Sequence, residues 1–248
     1  MNSNAKSLFN YLQRMYNAIN RLNTYPDIFF NDEVTPKTIE ALGAILILDP
    51  NDLYVDFAAR KTPRKYIERE LAWYKSKSNS VEELKDIKVW SQICDKNCEV
   101  NSNYGLLVFS RSNFSQFDNV LSKLKQDKYS RQGIIIYTRP SLQYEWNSLG
   151  AHDFICTNFQ HFFIRNDTLY TITSMRSQDA IYGFFNDVPW FHYVIQLMYN
   201  SLKETYPSLS LGQHTLFVNS LHIYESHFSL LSNIIEAEYV TKNGLAGD

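Results

Sequence analysis

The chain has 248 residues, long enough to bury a substantial core in a domain of moderate size. Its 24 basic and 26 acidic residues give a formal net charge of -2, which argues against a dedicated DNA- or RNA-binding protein because such proteins normally carry a basic surplus. No apolar run reaches the roughly 20 residues of a membrane span, and the N-terminal residues do not resemble a signal peptide.

The three cysteines, Cys94, Cys98 and Cys156, do not predict a disulfide framework. An odd number of cysteines favours a reducing compartment, and we therefore expect a cytoplasmic protein. Cys94 and Cys98 are close in sequence, but two further zinc ligands at suitable spacing are missing and the six histidines are scattered. We therefore predict no metal site.

Hydrophobic periodicity predicts the elements of the N-terminal half in chain order. Apolar residues at helical spacing predict an amphipathic helix over residues 8–22, and the apolar run 43–48 predicts a buried strand. Residues 63–74 begin with proline and continue at helical spacing, which predicts a second helix. A third helix is predicted over residues 114–124, and the β-branched run 133–137 predicts a strand.

The C-terminal half predicts a hairpin, a long helix, a strand and a final helix. Two extended segments flank a turn at residues 165–167, which is typical of a β-hairpin. A long helical pattern covers residues 188–202, and we expect its aromatic residues to lie in the core. A strand follows at 215–224 and a closing helix at 226–235. With no repeat or long linker, residues 1–248 are predicted to form a single domain.

The segment from Cys156 to Asp187 combines residue types that suit covalent catalysis on a phosphorylated small molecule. It contains one thiol, the pair Arg176 and Ser177, and the carboxylates Asp179 and Asp187. A thiol attacks as thiolate, whose formation a nearby guanidinium favours, and arginine also binds phosphate through two parallel hydrogen bonds. From composition alone, however, a lone cysteine is more often a small buried hydrophobic residue than a nucleophile.

One set of seven separated stretches comprises residues 66–74, 101–105, 130–133, 156–158, 175–179, 183–187 and 220–224. These stretches resemble the thymidylate synthase superfamily, and they occur in the order found in that family. Within it, the chain most resembles the phage branch that hydroxymethylates deoxycytidylate. The resemblance implies an α+β fold with a mixed β-sheet, helices packed on one face, and a homodimer interface on the other face.

The resemblance also implies an activity. The thiolate of Cys156 would add to carbon 6 of deoxycytidylate, carbon 5 would accept a one-carbon unit from 5,10-methylenetetrahydrofolate, and water would complete a hydroxymethyl group. The product would supply modified cytosine nucleotides for phage DNA synthesis. Two alternatives stay open: a pyrimidine C5-methylase of the same fold, and a non-catalytic nucleotide-binding subunit of a replication complex, although a pure binding protein has no need of the thiol.

Three further residues acquire catalytic roles from the resemblance. Glu70 would be the general acid-base carboxylate, and Tyr104 would join its water network. Asp187 would read the base, because a carboxylate accepts a hydrogen bond from the cytosine amino group. From spacing alone, a solvent-facing helix position is favoured for Glu70, and the resemblance reverses this preference. Asn186 and Asp187 are equally compatible with capping a helix that has Pro189 near its first turn.

The resemblance assigns the nucleotide phosphate to two cations and a hydroxyl. Arg176 and Ser177 would bind it from one subunit, and Arg131 would reach it across the dimer interface. The family usually has a second arginine after the residue equivalent to Arg131, whereas this chain has Gln132. The phosphate site is therefore predicted to contain one cation fewer.

The remaining implied contacts concern the sugar and the folate. His222 and Tyr224 match the pair that binds the sugar hydroxyl. Asp179 would bind the pterin, Trp90 would stack along it, and Gly183 would allow the ring to approach closely. The implied partners are thus a second copy of the chain, a nucleotide monophosphate and a folate, without direct contact to nucleic acid or membrane. Membership of a replication or nucleotide-synthesis complex stays open.

Overall fold

The chain is described by a computed structural model that covers residues 1–147 and 150–242, and it forms two compact units. Neither unit is continuous in sequence. Unit 1 comprises Met1–Pro63, Ser174–Val194 and Gln213–Asp248, whereas unit 2 comprises Arg64–Thr173 and Ile195–Gly212.

The described chain contains eight α-helices and six β-strands, in agreement with the predicted α+β class. The strands form a six-stranded mixed sheet in the order β1-β2-β6-β5-β4-β3. Among the described helices, none is long and apolar enough to cross a membrane. The helices are α1 Ser3–Ile19, α2 Arg64–Ser76, α3 Lys88–Ile93, α4 Tyr104–Phe109, α5 Gln116–Gln126, α6 Leu142–Glu145, α7 Gly183–Lys203 and α8 Phe228–Lys242. The strands are β1 Ile28–Asn31, β2 Thr38–Leu48, β3 Ile134–Ile136, β4 Thr157–Arg165, β5 Thr168–Asp179 and β6 Ser210–Tyr224.

Helix α1 confirms the predicted N-terminal amphipathic helix. Asn2 caps it, because its side-chain oxygen accepts a hydrogen bond from the backbone N–H of Ala5 at 3.1 Å. The buried face of the helix, with Leu8, Leu12 and Met15, packs within unit 1 against β2 and α8. Helical periodicity in the sequence therefore identified the correct packing face.

Along the antiparallel pair β2–β6, the face of the strands that points toward the core changes from one end to the other. In β2 the buried positions shift from odd to even numbers between Ala41 and Ala44, and in β6 they shift from even to odd numbers between Val218 and Leu221. Since side chains alternate along a strand, such a shift requires an irregular residue. Gly43, with φ of 70°, supplies it in β2. The two strands switch together, so their register is retained.

The β2–β6 pair also presents apolar side chains to solvent. Ile45 and Phe217, which are directly paired, are 46% and 41% exposed, and Leu42 and Ile47 are similarly exposed. An exposed apolar surface of this kind usually marks an interaction site.

In unit 2, the predicted hairpin is confirmed between β4 and β5. Asn166 and Asp167, the two residues between the strands, have φ of 48° and 54°, the left-handed backbone of a two-residue hairpin turn. The strand predicted at residues 133–137 is the short β3, which pairs antiparallel with β4. Helix α4 lies against α2 and α5.

Candidate active site

The candidate residues form two groups, one in each unit. In the described ranges 1–147 and 150–242, no set of three or more His, Cys, Asp or Glu residues could hold a metal ion. The group in unit 2 consists of Glu70, Trp90, Tyr104, Arg131 and Cys156, and the group in unit 1 consists of Arg176, Ser177, Asp179, Gly183, Asp187, His222 and Tyr224.

Cys156 lies directly before β4 and is partly exposed, so it is not a fully buried core residue. Its Sγ is 3.8 Å from the carbonyl oxygen of Phe154. The next residue, Thr157, is buried and donates a hydrogen bond from Oγ1 to Tyr104 Oη at 3.0 Å. This bond joins the start of β4 to the start of α4, and it therefore restrains the backbone beside the thiol.

Tyr104 is held by aromatic contacts between α2 and α4. Its ring stacks on Tyr74 with centroids 5.3 Å apart, and Tyr137 contacts it edge-on at 5.0 Å. The close approach of the two helices requires Gly105, because a Cβ atom there would lie 1.8 Å from the carbonyl oxygen of Tyr74. Thus Gly105 allows the packing that places the Tyr104 hydroxyl next to Thr157.

Glu70 is only 5% exposed, so the alternative of a solvent-facing helix position is wrong. Its Oε1 accepts a hydrogen bond from Tyr66 Oη at 2.6 Å, and Tyr66 Oη in turn accepts one from Trp90 Nε1 at 3.0 Å. Trp90 is 6% exposed and packs on Trp73 with ring centroids 4.8 Å apart. The structure therefore joins Trp90 and Glu70 through Tyr66, a residue that the sequence analysis did not select.

Arg131 lies in the loop between α5 and β3, with its side chain exposed. The carbonyl oxygen of Arg131 is 3.1 Å from His161 Nε2 of β4, which ties the loop to the sheet. The loop and the end of α5 border a polar cavity of about 350 Å³ that also includes Lys123. Two cations, Lys123 and Arg131, and one carboxylate, Asp127, therefore border the same small depression.

Ser177 and His222 lie close together in unit 1. Ser177 Oγ, on β5, is 3.4 Å from His222 Nδ1, on β6, and the rings of His222 and Tyr224 contact each other edge-on at 5.0 Å. Burial lowers the pKa of His222, the charge of Asp179 opposes that change, and Arg176 contributes to it. A mainly neutral imidazole beside a hydroxyl can hydrogen-bond a neutral polar ligand group.

Asp187 accepts a hydrogen bond on Oδ2 from Gln178 Nε2 at 2.9 Å. Asp187 is partly buried and Gln178 is only 3% exposed. Burial raises the pKa of Asp187 to about 6, the hydrogen bond from Gln178 opposes this increase, and the charge of Asp179 adds to it. A carboxyl that titrates close to neutral pH is typical of functional sites.

Helix α7 begins at Gly183, so Asn186 and Asp187 lie inside the helix. The alternative that these two residues cap a helix is therefore wrong, and so is the prediction that Pro189 lies near the first turn. Asp179 precedes the helix, and its Oδ1 accepts a hydrogen bond from the backbone N–H of Ile181 at 2.8 Å. The helix starts early because Phe184 and Phe185, in its first turn, are apolar and fully buried.

Arg60 is a further residue that the sequence analysis did not select. Its guanidinium lies over the rings of Tyr182 and Phe185, 4.9 and 4.7 Å from their centroids, and donates to the carbonyl oxygen of Ile181 at 3.3 Å. Burial lowers its pKa, whereas the charges of Tyr182 and Asp179 raise it. No local pattern predicts this arrangement, because its partners lie about 120 residues away in sequence.

The sequence of this chain is similar to those of known proteins. The family model described as thymidylate synthase matches residues 32–245. The deoxycytidylate 5-hydroxymethyltransferases of Enterobacteria phages T6 and T4 are each 38% identical over 209 residues, which cover 83% of both chains. A putative thymidylate synthase of Methanocaldococcus jannaschii is 28% identical over 116 residues, covering 47% of this chain and 50% of the relative.

Proposed function

Because this chain belongs to the thymidylate synthase family, we propose that it hydroxymethylates carbon 5 of deoxycytidylate, using 5,10-methylenetetrahydrofolate and water. The observation that carries this proposal is the 38% identity, over 83% of both chains, with phage proteins named for that activity. We further propose that residues 1–248 act as one catalytic domain in the cytoplasm of a phage-infected cell.

Cys156 is the proposed nucleophile. Its thiolate forms a bond to carbon 6 of the cytosine ring, and the displaced electron pair makes carbon 5 nucleophilic. The folate supplies a one-carbon unit at the oxidation level of formaldehyde. Carbon 5 bonds to this one-carbon unit and loses its proton, and the bond between the unit and the folate nitrogen breaks, so that tetrahydrofolate leaves an exocyclic methylene group behind. A water oxygen then adds to the methylene carbon, and the sulfur departs as the ring double bond forms again. The products are 5-hydroxymethyldeoxycytidylate and tetrahydrofolate, without net oxidation. The partial exposure of Cys156 supports this role.

Glu70, Tyr66 and Tyr104 are proposed to hold water and move protons. The hydrogen bond from Tyr66 orients the carboxylate of Glu70, while Trp90 orients Tyr66. A positioned carboxylate of this kind contributes to proton transfer by a factor on the order of 10² to 10⁴. The burial of Glu70 supports the role, since a buried carboxylate exchanges protons with bound groups rather than with bulk water.

Asp187 is proposed to recognise the base. The amino group of cytosine donates hydrogen bonds, and a carboxylate accepts them. Uracil has a carbonyl at the same position, and two acceptors facing each other would leave both unpaired, at a cost of about 1–3 kcal/mol. An ionised Asp187 therefore favours deoxycytidylate over deoxyuridylate.

The proposed nucleotide contacts outside the base use Arg176 and Ser177 for the phosphate and His222 and Tyr224 for the sugar hydroxyl. The short distance between Ser177 and His222, 3.4 Å, supports a common polar site for these two groups. A neutral His222 suits an uncharged hydroxyl, because it can both accept and donate a hydrogen bond.

We propose that two copies associate through the apolar face of the β2–β6 pair, and that each provides Arg131 to the phosphate site of the other. The exposed side chains of Ile45 and Phe217 support the interface, and the exposed Arg131 supports its role in another copy. Mixing Arg131→Ala with Cys156→Ala tests this directly. If sites are shared, the mixture recovers activity that neither variant has alone; if each chain is self-sufficient for phosphate binding, it does not.

The residues assigned to folate fit it to different degrees. Asp179 offers a carboxylate that can accept hydrogen bonds from pterin N–H groups, and the Ile181 N–H holds one of its oxygens, Oδ1. Trp90 is 6% exposed and uses its N–H for Tyr66, so only its exposed edge is available to a folate ring. At Gly183, the space that a Cβ would occupy lies next to Gln178. Gly183 therefore serves the Gln178–Asp187 pair as well as any close ring approach.

A product assay distinguishes the proposed reaction from the alternatives. The purified protein is incubated with deoxycytidylate and methylenetetrahydrofolate, and nucleotide and folate are identified by mass spectrometry. We expect a hydroxymethyl product and tetrahydrofolate. A methyl product with dihydrofolate would instead support a C5-methylase, the activity suggested by the family description. Nucleotide binding without any product would support a non-catalytic subunit.

Cysteine variants test the covalent step. Cys156→Ala is expected to abolish turnover and retain nucleotide binding, because only the bond to carbon 6 is lost. Cys94→Ala is the matched control, since Cys94 is also a partly exposed free cysteine but lies outside the proposed site. Equal turnover in both variants would contradict the covalent mechanism.

A further inference from the structure

The side-chain amide of Gln178 is nearly fully buried, and the reaction proposed above gives it no task. We infer that Gln178 is a positioning residue for base recognition, holding one carboxylate oxygen of Asp187 as a hydrogen-bond acceptor and thereby favouring cytosine over uracil. This inference rests on the proposed function for its substrate, but the contact between the two side chains does not.

The orientation of the amide follows from its contacts. Nε2 of Gln178 donates to Oδ2 of Asp187 at 2.9 Å, whereas Oε1 of Gln178 has no partner among the described residues. Rotating the amide by 180° would place its oxygen against the carboxylate oxygen, where two acceptors repel each other. The amide of Gln178 therefore keeps the orientation that leaves its own carbonyl oxygen unpaired, because this orientation gives Asp187 a donor. Oδ2 of Asp187 is thereby held as an acceptor.

The backbone leaves room for this contact at Gly183. A Cβ atom at this position would lie 2.8 Å from Gln178 Nε2, closer than side-chain atoms normally approach, and 3.8 Å from Asp187 Oδ2. A side chain there would push the amide away from the carboxylate. The lack of a side chain at residue 183 therefore has a second consequence, independent of folate: it lets Gln178 reach Asp187.

The charged surroundings determine what the loss of this donor would do. Asp179 is the charged neighbour that disfavours ionisation of Asp187, and Arg60 and His222 interact in turn with Asp179. Burial raises the pKa of Asp187, and Gln178 is the group that lowers it. Without Gln178, the pKa of Asp187 would be higher, so its carboxyl would stay protonated up to a higher pH. A protonated carboxyl can donate to the uracil carbonyl, so discrimination between the bases would decrease.

The first experiment measures the ionisation of Asp187 directly. The full chain is labelled with ¹³C on aspartate carboxyls, and the Asp187 signal is assigned as the one absent from Asp187→Asn. Gln178→Met retains the length of the side chain and removes the donor, and we expect the titration midpoint of Asp187 to rise by about half a pH unit or more. Gly183→Ala should move it in the same direction. Gln160→Met, which alters another fully buried glutamine, should leave it unchanged.

The second experiment connects ionisation to base choice. The ratio of kcat/KM for deoxycytidylate to that for deoxyuridylate is measured against pH, with the ratio of Kd values as the readout if turnover is absent. In Gln178→Met the ratio should fall several-fold at neutral pH, and its pH dependence should move with the Asp187 midpoint. A purely structural role for Gln178 would change KM for both nucleotides alike.

The outcomes distinguish a failure of the proposed function from a failure of the role inferred for Gln178. A changed midpoint in a protein that neither binds nor converts deoxycytidylate would overturn the proposed function and the base-recognition role, while leaving the contact established. An unchanged midpoint and ratio in a folded Gln178→Met protein would overturn the inference itself. If Gln178→Met does not fold, as judged by its thermal melt, Gly183→Ala decides the question by the same two measurements.

Discussion

Glu70 in unit 2 and Asp187 in unit 1 both accept a hydrogen bond from a neutral donor, yet the donors reach them by different routes. Tyr66 lies four residues before Glu70 on helix α2, so their contact follows from helical spacing. Gln178 lies on β5, whereas Asp187 lies on α7, and their contact also needs the missing side chain of Gly183. The first carboxylate is oriented by its own helix, and the second by the tertiary structure.

Removing the carboxylate of unit 2 should have the largest effect. Glu70→Gln is expected to lower kcat by a factor on the order of 10² to 10⁴, because an amide cannot exchange the required protons. Steady-state kinetics measure the loss, and equilibrium binding should be little affected. Glu68→Gln, an exposed change on the same helix, serves as control. A similar loss in both variants would mean that helix stability, rather than proton transfer, is being measured.

Changing the carboxylate of unit 1 should alter base choice more than rate. Asp187→Asn is expected to shift the kcat/KM ratio toward deoxyuridylate by about 10- to 100-fold, because an amide can donate to the uracil carbonyl. Parallel assays with both nucleotides measure the shift. Asp187→Ala, which offers neither donor nor acceptor, should weaken the use of both. An unchanged preference in Asp187→Asn would show that the base is recognised elsewhere.

A pair of buried histidines in unit 1 makes the stability of the fold depend on pH. His192 and His214 are fully buried in unit 1, with His192 Nε2 3.1 Å from His214 Nδ1. Burial lowers the pKa of His192 to about 4 and that of His214 well below its ordinary value of 6.5. The unfolded chain therefore binds more protons than the folded one in this range.

The contribution of these two histidines to the unfolding free energy should consequently be constant above pH 6.5 and fall as the pH drops toward 4, by about 1.4 kcal/mol per pH unit for each histidine. Asp187, whose pKa is raised to about 6, contributes with the opposite sign below pH 6. Urea unfolding curves at several pH values measure this slope. His192→Gln should reduce it, whereas His152→Gln, which changes an exposed histidine, should not. A slope that is the same in all three proteins would assign acid sensitivity to other groups.

The smallest effect is expected from removing the hydroxyl of Tyr66, which donates a hydrogen bond to Glu70 in unit 2. Tyr66→Phe removes the hydroxyl that links Trp90 to Glu70, and we expect kcat to fall by roughly three- to tenfold, the equivalent of one hydrogen bond of about 1 kcal/mol. Base preference should not change, in contrast to Gln178→Met. Tyr144→Phe alters an exposed tyrosine and is the control. A change of base preference in Tyr66→Phe would remove the distinction between the two carboxylates.

The elements that were predicted correctly are those with a local cause. The periodicity of α1 and the two-residue turn at Asn166 and Asp167 both specify structure within a few residues, and both are confirmed. The aromatic residues Trp190 and Phe191 are fully buried, as expected from their helical pattern.

The elements that were misplaced or missed depend on distant contacts. Proline is expected in the first turn of a helix, so Pro189 suggested a start near residue 188, yet buried residues extend α7 back to Gly183. Strand β1, Ile28–Asn31, has only four residues and was not predicted. It exists because it pairs with β2, a contact that a four-residue pattern does not reveal.

The amino-acid sequence by itself determined the chemical groups and their order along the chain: a thiol at Cys156, carboxylates at Glu70 and Asp187, and a cation beside a hydroxyl at Arg176 and Ser177. It also carried the family membership. The identity of a residue belongs to one position, and family membership is a sum over many positions, so neither depends on the folded structure.

Only the tertiary structure decided the state of those groups. The pKa of Asp187 depends on burial and on Gln178 and Asp179, which fold against it from another element. The same holds for the access of Cys156 to solvent and for the enclosure of Glu70. Solvation and hydrogen bonding act over a few ångströms in space, so residues that are far apart in sequence determine them.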